Sequence, residues 1–164
     1  MPINSTDMKY RLSGGAANTD PLAALGGAAS TTDAAATIFD NVTSAEASTG
    51  ESEYRCVYVK NNHGTLTALG TKVWVQTQTP SADTDVAIGL GTSAVNGNEQ
   101  TVADENTAPA GVTFTAPAAF AAGLTIGDLT PGQTKAVWVK RTVNAGAAPT
   151  ADSFVLRSQC DTLP

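Results

Sequence analysis

Thr134-Lys135-Ala136-Val137-Trp138-Val139-Lys140-Arg141-Thr142-Val143, entered through Thr130-Pro131-Gly132-Gln133, decides the fold class. Ala136, Trp138 and Lys140 fall on one face of this stretch, and Val137, Val139 and Arg141 on the other. A period of two in β-branched and aromatic residues is a strand, and the Pro-Gly pair before it is a turn. Working outward, Tyr54 to Lys60 alternates in the same way, with Val57 and Val59 opposite Cys56 and Tyr58. Lys72 to Gln76 sets Val73 and Val75 against Trp74, and Val86 to Leu90 alternates again. Leu124 to Leu129 precedes the Pro-Gly turn, and Ser153 to Gln159 makes a last strand after a linker over Asn144 to Asp152. Two shorter candidates are Ile38 to Val42 and Val112 to Phe114.

No stretch holds a 3.6-residue apolar period over three turns, and helix is expected only as a single turn near Pro117 to Ala122. Six to eight short antiparallel strands with turn signals between them predict an all-β sandwich. The valine faces are expected inward, because Val57 with Val59, Val73 with Val75 and Val137 with Val139 repeat one choice. Trp74 and Trp138 are then expected on an outer or interface face.

The 164 residues suit one domain with some chain to spare. Ala and Thr together supply roughly a third of them, and residues 1–37 are nearly all small or polar. Such a segment cannot offset its own ordering entropy by burial, so it is expected as an extended N-terminal arm. Its anchor points are Tyr10, Leu12, Leu22 and Leu25. The expected division is therefore an arm over 1–37, a sandwich over 38–159 and a tail over 160–164.

With 15 acidic against 9 basic side chains the net charge is −6, which argues against nucleic acid as a direct partner. No apolar run approaches ~20 residues, so no membrane span is expected. The opening residues lack the basic and apolar regions of a secretory signal, and cytosolic synthesis is the expectation.

Little in the sequence points to catalysis. His63 is the single histidine and lies in the turn Asn61-Asn62-His63-Gly64, where exposure is expected. Cys56 sits mid-strand and is expected to pack; Cys160 lies in the tail, and a reducing cytosol disfavours a bridge between them. Asp83, Asp85, Glu99, Asp104 and Glu105 concentrate acid, but without the residue order of a calcium loop. Gly89-Leu90-Gly91 lacks the third glycine of a nucleotide loop. No enzyme activity, metal or cofactor is expected.

Several stretches resemble a family of short virion proteins encoded by tailed bacteriophages and prophages. They are Leu12 to Pro21 (Leu-Ser-Gly-Gly-Ala-Ala-Asn-Thr-Asp-Pro), Glu53-Tyr54-Arg55-Cys56, Ser81-Ala82-Asp83-Thr84, Gly89-Leu90-Gly91-Thr92 and Lys135 to Val143. Leu129-Thr130-Pro131-Gly132 before the Val-Trp-Val strand also looks like the penultimate hairpin of many immunoglobulin-like modules. The resemblance implies an immunoglobulin-like sandwich in the virion, acting as a head decoration (cement) protein. Its partners would be the major capsid protein and neighbouring copies of itself, with no membrane or nucleic acid. A tail, baseplate or fibre-attachment component is the alternative in the same class. A third reading is a carbohydrate- or cell-surface-binding module, with Trp74, Trp138, Tyr54 and Tyr58 as a sugar-stacking platform.

Overall fold

Alternation of large apolar residues with polar ones produces seven strands among the residues described, 3–148 and 153–161, in the computed structural model. They are β1 (Met8–Leu12), β2 (Glu51–Asn61), β3 (Ala68–Thr77), β4 (Thr84–Leu90), β5 (Leu124–Leu129), β6 (Thr134–Val143) and β7 (Val155–Asp161). Four form one antiparallel sheet in the order β1-β2-β6-β4, and three form a second in the order β5-β3-β7. The central pairing sets Val57 opposite Val137 and Arg55 opposite Val139.

The valine faces point into the space between the sheets. Val57, Val59, Val73, Val75, Val86, Ile88, Val137 and Val139 join Leu129, Ile38 and Phe39 in one core. Each fully buried Val or Ile contributes about 1.5–3 kcal/mol relative to an exposed side chain, so this layer is the main cohesive element of the sandwich.

The opposite face of the four-stranded sheet is buried too. Tyr54, Cys56, Tyr58, Ala136 and Trp138 form a second cluster, roofed by Ala29, Val102, Val112 and Phe114. The roof comes from two irregular stretches, one in the N-terminal segment and one between β4 and β5. Gly89 and Gly91 let it close. A Cβ on Gly89 would meet the Thr113 carbonyl oxygen at 2.7 Å, and one on Gly91 would meet the Glu99 carboxylate and the Ala136 side chain. At Gly89 backbone is thus pressed against the sheet, and at Gly91, just past β4, the space is taken by a carboxylate and an alanine side chain.

Several expectations are corrected. Trp138 is wholly buried, because the expected outer face carries the roof. The division at residue 37 does not separate an arm from a body. Met8–Leu12 pairs with β2 from Met8↔Asn61 to Leu12↔Val57, and Met8 and Leu12 are buried. Alternation of Met8, Tyr10 and Leu12 was the signal there, masked by the small-residue composition around it. Ile38 to Val42 forms no strand, although Ile38, Phe39 and Val42 are buried. Val112 to Phe114 likewise stays irregular, followed by a single bridge between Thr115 and Ile88.

A short helix, α1 (Ser44–Thr49), was not expected. Thr43 and Glu46 cap it reciprocally, with Thr43 N–H donating to Glu46 Oε2 at 2.7 Å and Glu46 N–H to Thr43 Oγ1 at 3.3 Å. The single turn expected near Pro117 to Ala122 is a 3-10 turn at Phe120–Ala122.

The turn Thr130 to Gln133 joins strands of different sheets, so it is a crossover and not a hairpin. In the immunoglobulin order the fifth strand would lie beside the second, and the third beside the sixth. Here β6 lies beside β2, and β3 lies between β5 and β7, so the sandwich has its own strand order. Of the expected tail, Cys160 and Asp161 complete β7 while 162–164 lie outside the described residues, as do 1–2 of the leader and 149–152 of the linker. No described helix is long and apolar enough to cross a membrane.

Candidate interaction surfaces

The four expected anchors of the N-terminal segment divide into two pairs. Tyr10 and Leu12 lie on β1 and turn toward the molecule's own core, where Leu12 is buried and Tyr10 packs against the valine layer. Burial pushes the Tyr10 hydroxyl pKa upward. Leu25 is half-buried, whereas Leu22 is 44% exposed on a 3-10 turn, Pro21–Ala23.

That turn is braced by short-range polar contacts. Leu22 N–H donates to Asp20 Oδ1 at 2.9 Å, and Asn18 Nδ2 donates to the Ser13 carbonyl at 2.6 Å. Ser30 Oγ donates to the Asn18 carbonyl at 2.6 Å. Asp, Asn and Ser side chains satisfying nearby backbone are what hold a small-residue loop in one conformation.

The four aromatic residues of the expected platform are buried. Trp74 lies on the outer side of the three-stranded sheet under Phe120, their centroids 5.8 Å apart and edge-on. Tyr54 packs on Phe114 at 5.5 Å, and Tyr58 and Trp138 are buried beside it. Tyr54, Tyr58, Trp74 and Trp138 therefore form no exposed stacking platform.

Ionisable groups are tied into the fold as well. His63 is half-buried, its Nδ1 accepting from the Thr65 and Leu66 N–H groups at 3.1 and 2.9 Å, so it organises a turn. Glu99 accepts from Thr92 Oγ1 at 3.0 Å and Ser93 N–H at 2.9 Å. Burial opposes its ionisation, but the hydrogen bonds from Ser93 and Thr92 outweigh that and hold its pKa near 2. Cys56 and Cys160 are free thiols, with Cys56 under the roof and Cys160 against the inter-sheet core.

The expected acidic concentration does not converge on one point. Asp83 accepts from the Ala148 N–H, Glu99 turns to Thr92 and Ser93, and Glu105 pairs with Arg55. A different trio comes together at one end of the sandwich, where Asp40, Glu53 and Glu105 lie within 4.8 Å of one another. Two guanidiniums face them: Arg141 Nε donates to Glu53 Oε2 at 2.5 Å, and Arg55 pairs with Glu105. Both guanidiniums also lie over the Phe39 ring, 4.9 Å from Arg141 Cζ and 5.4 Å from Arg55 Cζ. Burial raises the Glu53 pKa, and the Arg141 contact opposes the rise. Sequence reasoning missed this plug; Glu53 and Arg55 spaced by two, with Arg141 on a valine face, were its signal.

Strand edges are treated unequally. The outer edge of β1 is covered by residues 30–34, with Ser30 N–H donating to the Leu12 carbonyl and Ala34 N–H to the Tyr10 carbonyl, each at 2.7 Å. Upstream on β2, Cys56 and Tyr54 N–H groups donate to the Ala24 and Glu105 carbonyls. On β4, the Gln78 amide imitates a strand, bonding both the Val86 N–H and carbonyl at 2.7 Å. The far edge of β7 bonds to no described backbone, and Val155 on it is 46% exposed. An apolar groove lined by Tyr10, Ala35, Ile38, Phe154 and Leu156 runs beside it.

No protein-family model, curated protein or solved structure matches this chain.

Among the described residues, two surfaces leave apolar or backbone groups uncovered. One is the braced Leu22 turn; the other is the open β7 edge. An exposed apolar side chain on a preorganised turn contributes to binding without an ordering cost, and a free edge accepts another strand.

Proposed function

We propose that the protein is a non-catalytic structural component of a tailed-phage virion, a head decoration (cement) protein. It binds the outer capsid surface and bridges neighbouring copies of the major capsid protein. The resemblance of Leu12 to Pro21, Glu53 to Cys56 and Lys135 to Val143 to short phage virion proteins supports the virion assignment. The non-catalytic part is supported by the use of Glu99, His63 and the Glu53–Arg141 pair in holding turns and strands.

The observation that carries the head contact is the presentation of Leu22. Tyr10 and Leu12 are spent on the sandwich itself, and the Pro21–Ala23 turn offers the apolar contact to a partner. This also changes the appropriate experiment. Removing residues 1–37 would remove β1 and its core side chains, so loss of binding would merely report unfolding.

Separated heads and tails of the phage, compared by mass spectrometry against the major capsid protein, should hold the chain in heads at a simple ratio. Signal confined to tails would replace the decoration role with a tail or baseplate one, and absence from both would end the virion reading. On heads stripped of the protein, Leu22→Asp should weaken rebinding by about tenfold, from lost apolar burial of about 1.5 kcal/mol. Unchanged rebinding would remove the turn from the contact.

A further inference from the structure

Along β7 the exposed side chains are Val155, Arg157, Gln159 and Asp161, while Leu156, Ser158 and Cys160 turn inward. Neither Arg157 nor Asp161 makes an ion pair with any described residue. The strand runs in regular register with β3 from Val75↔Leu156 to Lys72↔Gln159. The other outer edge of this sheet, on β5, is a poorer template. Gly127 there has φ +95°, and the β3 register shifts between Ala68 and Lys72.

We propose that β7 pairs antiparallel with β7 of a second copy of this chain about a two-fold axis through Gln159. The sequence around that point is self-complementary in charge. Antiparallel pairing centred on Gln159 sets Arg157 opposite Asp161 of the partner subunit, and by symmetry sets Asp161 opposite the partner's Arg157. Opposite charges directly across a strand pair are favourable, and an isologous interface makes each such pair twice. Centring on Ser158 instead would set exposed Val155 against Asp161 and leave both charges unmatched. The Gln159 register fuses two three-stranded sheets into one of six, ordered β5-β3-β7-β7-β3-β5. It also covers a regular edge that has no backbone partner among the described residues, which close β1 and β4 with loops and a glutamine side chain.

The register has a chemical signature. Cys160 falls opposite Ser158 of the partner subunit, so the two Cys160 side chains are diagonal neighbours at ~7–8 Å. That is too far for a disulfide and suited to a short bismaleimide. Cys56, fully buried under the roof, is the internal control.

The dimer adds to the decoration reading without resting on it; a monomer that binds heads would overturn the dimer alone. The full-length chain, studied by sedimentation equilibrium, should have twice the chain mass. Arg157→Asp places like charges across the axis and should raise the dissociation constant at least tenfold, with the thermal midpoint of the monomer unchanged. Adding Asp161→Arg restores complementarity in the opposite sense and should restore the dimer. The bismaleimide should link wild-type chains through Cys160, and Cys160→Ser should abolish the link. A monomeric wild type overturns the proposal. So does a dimer indifferent to Arg157→Asp, a folded double variant that stays monomeric, or a dimer that Cys160 cannot link.

Discussion

The two sheets of this sandwich are built to different standards of closure. The four-stranded sheet has a core on each face, and irregular chain lies against its edges at β1, β2 and β4. The three-stranded sheet has the shared core on one side, one tryptophan under a 3-10 turn on the other, and an open edge at β7. Small residues explain the difference. Ala- and Gly-rich chain cannot fill a core, but irregular chain can approach a sheet closely, and at Gly89 the sheet has lost its own side chain to admit the Thr113 backbone. The edges of one sheet are therefore met by the chain's own irregular segments, whereas β7 in the other has no backbone partner on its far side among the described residues.

The two tryptophans give the largest test of that contrast. Trp138 lies at the centre of the roofed cluster, so Trp138→Ala should cost about 3–5 kcal/mol, as for other buried Trp truncations. Trp74 has the sheet on one side and chiefly Phe120 on the other. Trp74→Ala should cost about half as much, because the thin cover can settle into the vacated space. Urea unfolding of both variants checks the order. Equal costs would mean that the two outer faces are closed alike.

Next in size is the hydroxyl that ties the roof to the sheet. Tyr58 donates to the Gly27 carbonyl at 2.5 Å and accepts from the Glu99 N–H at 2.9 Å, holding the N-terminal segment and the β4–β5 stretch at one point. Burial, above all, pushes its pKa up to about 12. Tyr58→Phe keeps the ring but removes both hydroxyl bonds, leaving the Gly27 carbonyl and the Glu99 N–H only their bond to each other, at a cost of about 2 kcal/mol. Hydrogen exchange should quicken at the Gly27 and Glu99 amides, which bond each other's carbonyls, more than at Val137 in the sheet centre. Uniform quickening would show that roof and sheet open together.

These same regions mark how far the sequence could be read. The valine layer was legible because alternation in β2, β3, β4 and β6 is a local pattern with one physical meaning. The burial of Trp138 was not, since it depends on chain more than twenty residues away and on pairing that no local period encodes. Nor was β1, where five alternating residues sit among small ones whose composition predicts disorder. The α1 cap was local and readable in Thr43-Ser44-Ala45-Glu46. That Leu12 is buried while Leu22 stays exposed was not legible, because it required the register of β1 on β2. The charge palindrome in β7 was present in the sequence, yet it has meaning only on an edge known to be free.

The smallest effect concerns two buried glutamates that titrate in opposite senses. Glu99, in the roof, has a folded pKa near 2 against an ordinary 4.5. A depressed carboxyl stabilises the fold at pH above 4.5, and that contribution is lost as the pH falls from 4.5 toward 2. Glu53, in the end plug, is shifted upward by burial. Its contribution favours the fold at low pH and declines as the pH rises from 4.5 through its folded value. Acid should therefore loosen the roof before the plug. In wild type, stability should fall by about 1–2 kcal/mol between pH 4.5 and 2 through Glu99, partly offset by Glu53. Glu99→Gln should be less stable near neutrality and should have a flatter acid limb, because the group that titrates there is gone. Glu53→Gln should leave that limb in place. Urea midpoints measured across the acid range separate the two, and an acid limb as steep in Glu99→Gln as in wild type would assign the pH dependence to a carboxylate outside the roof.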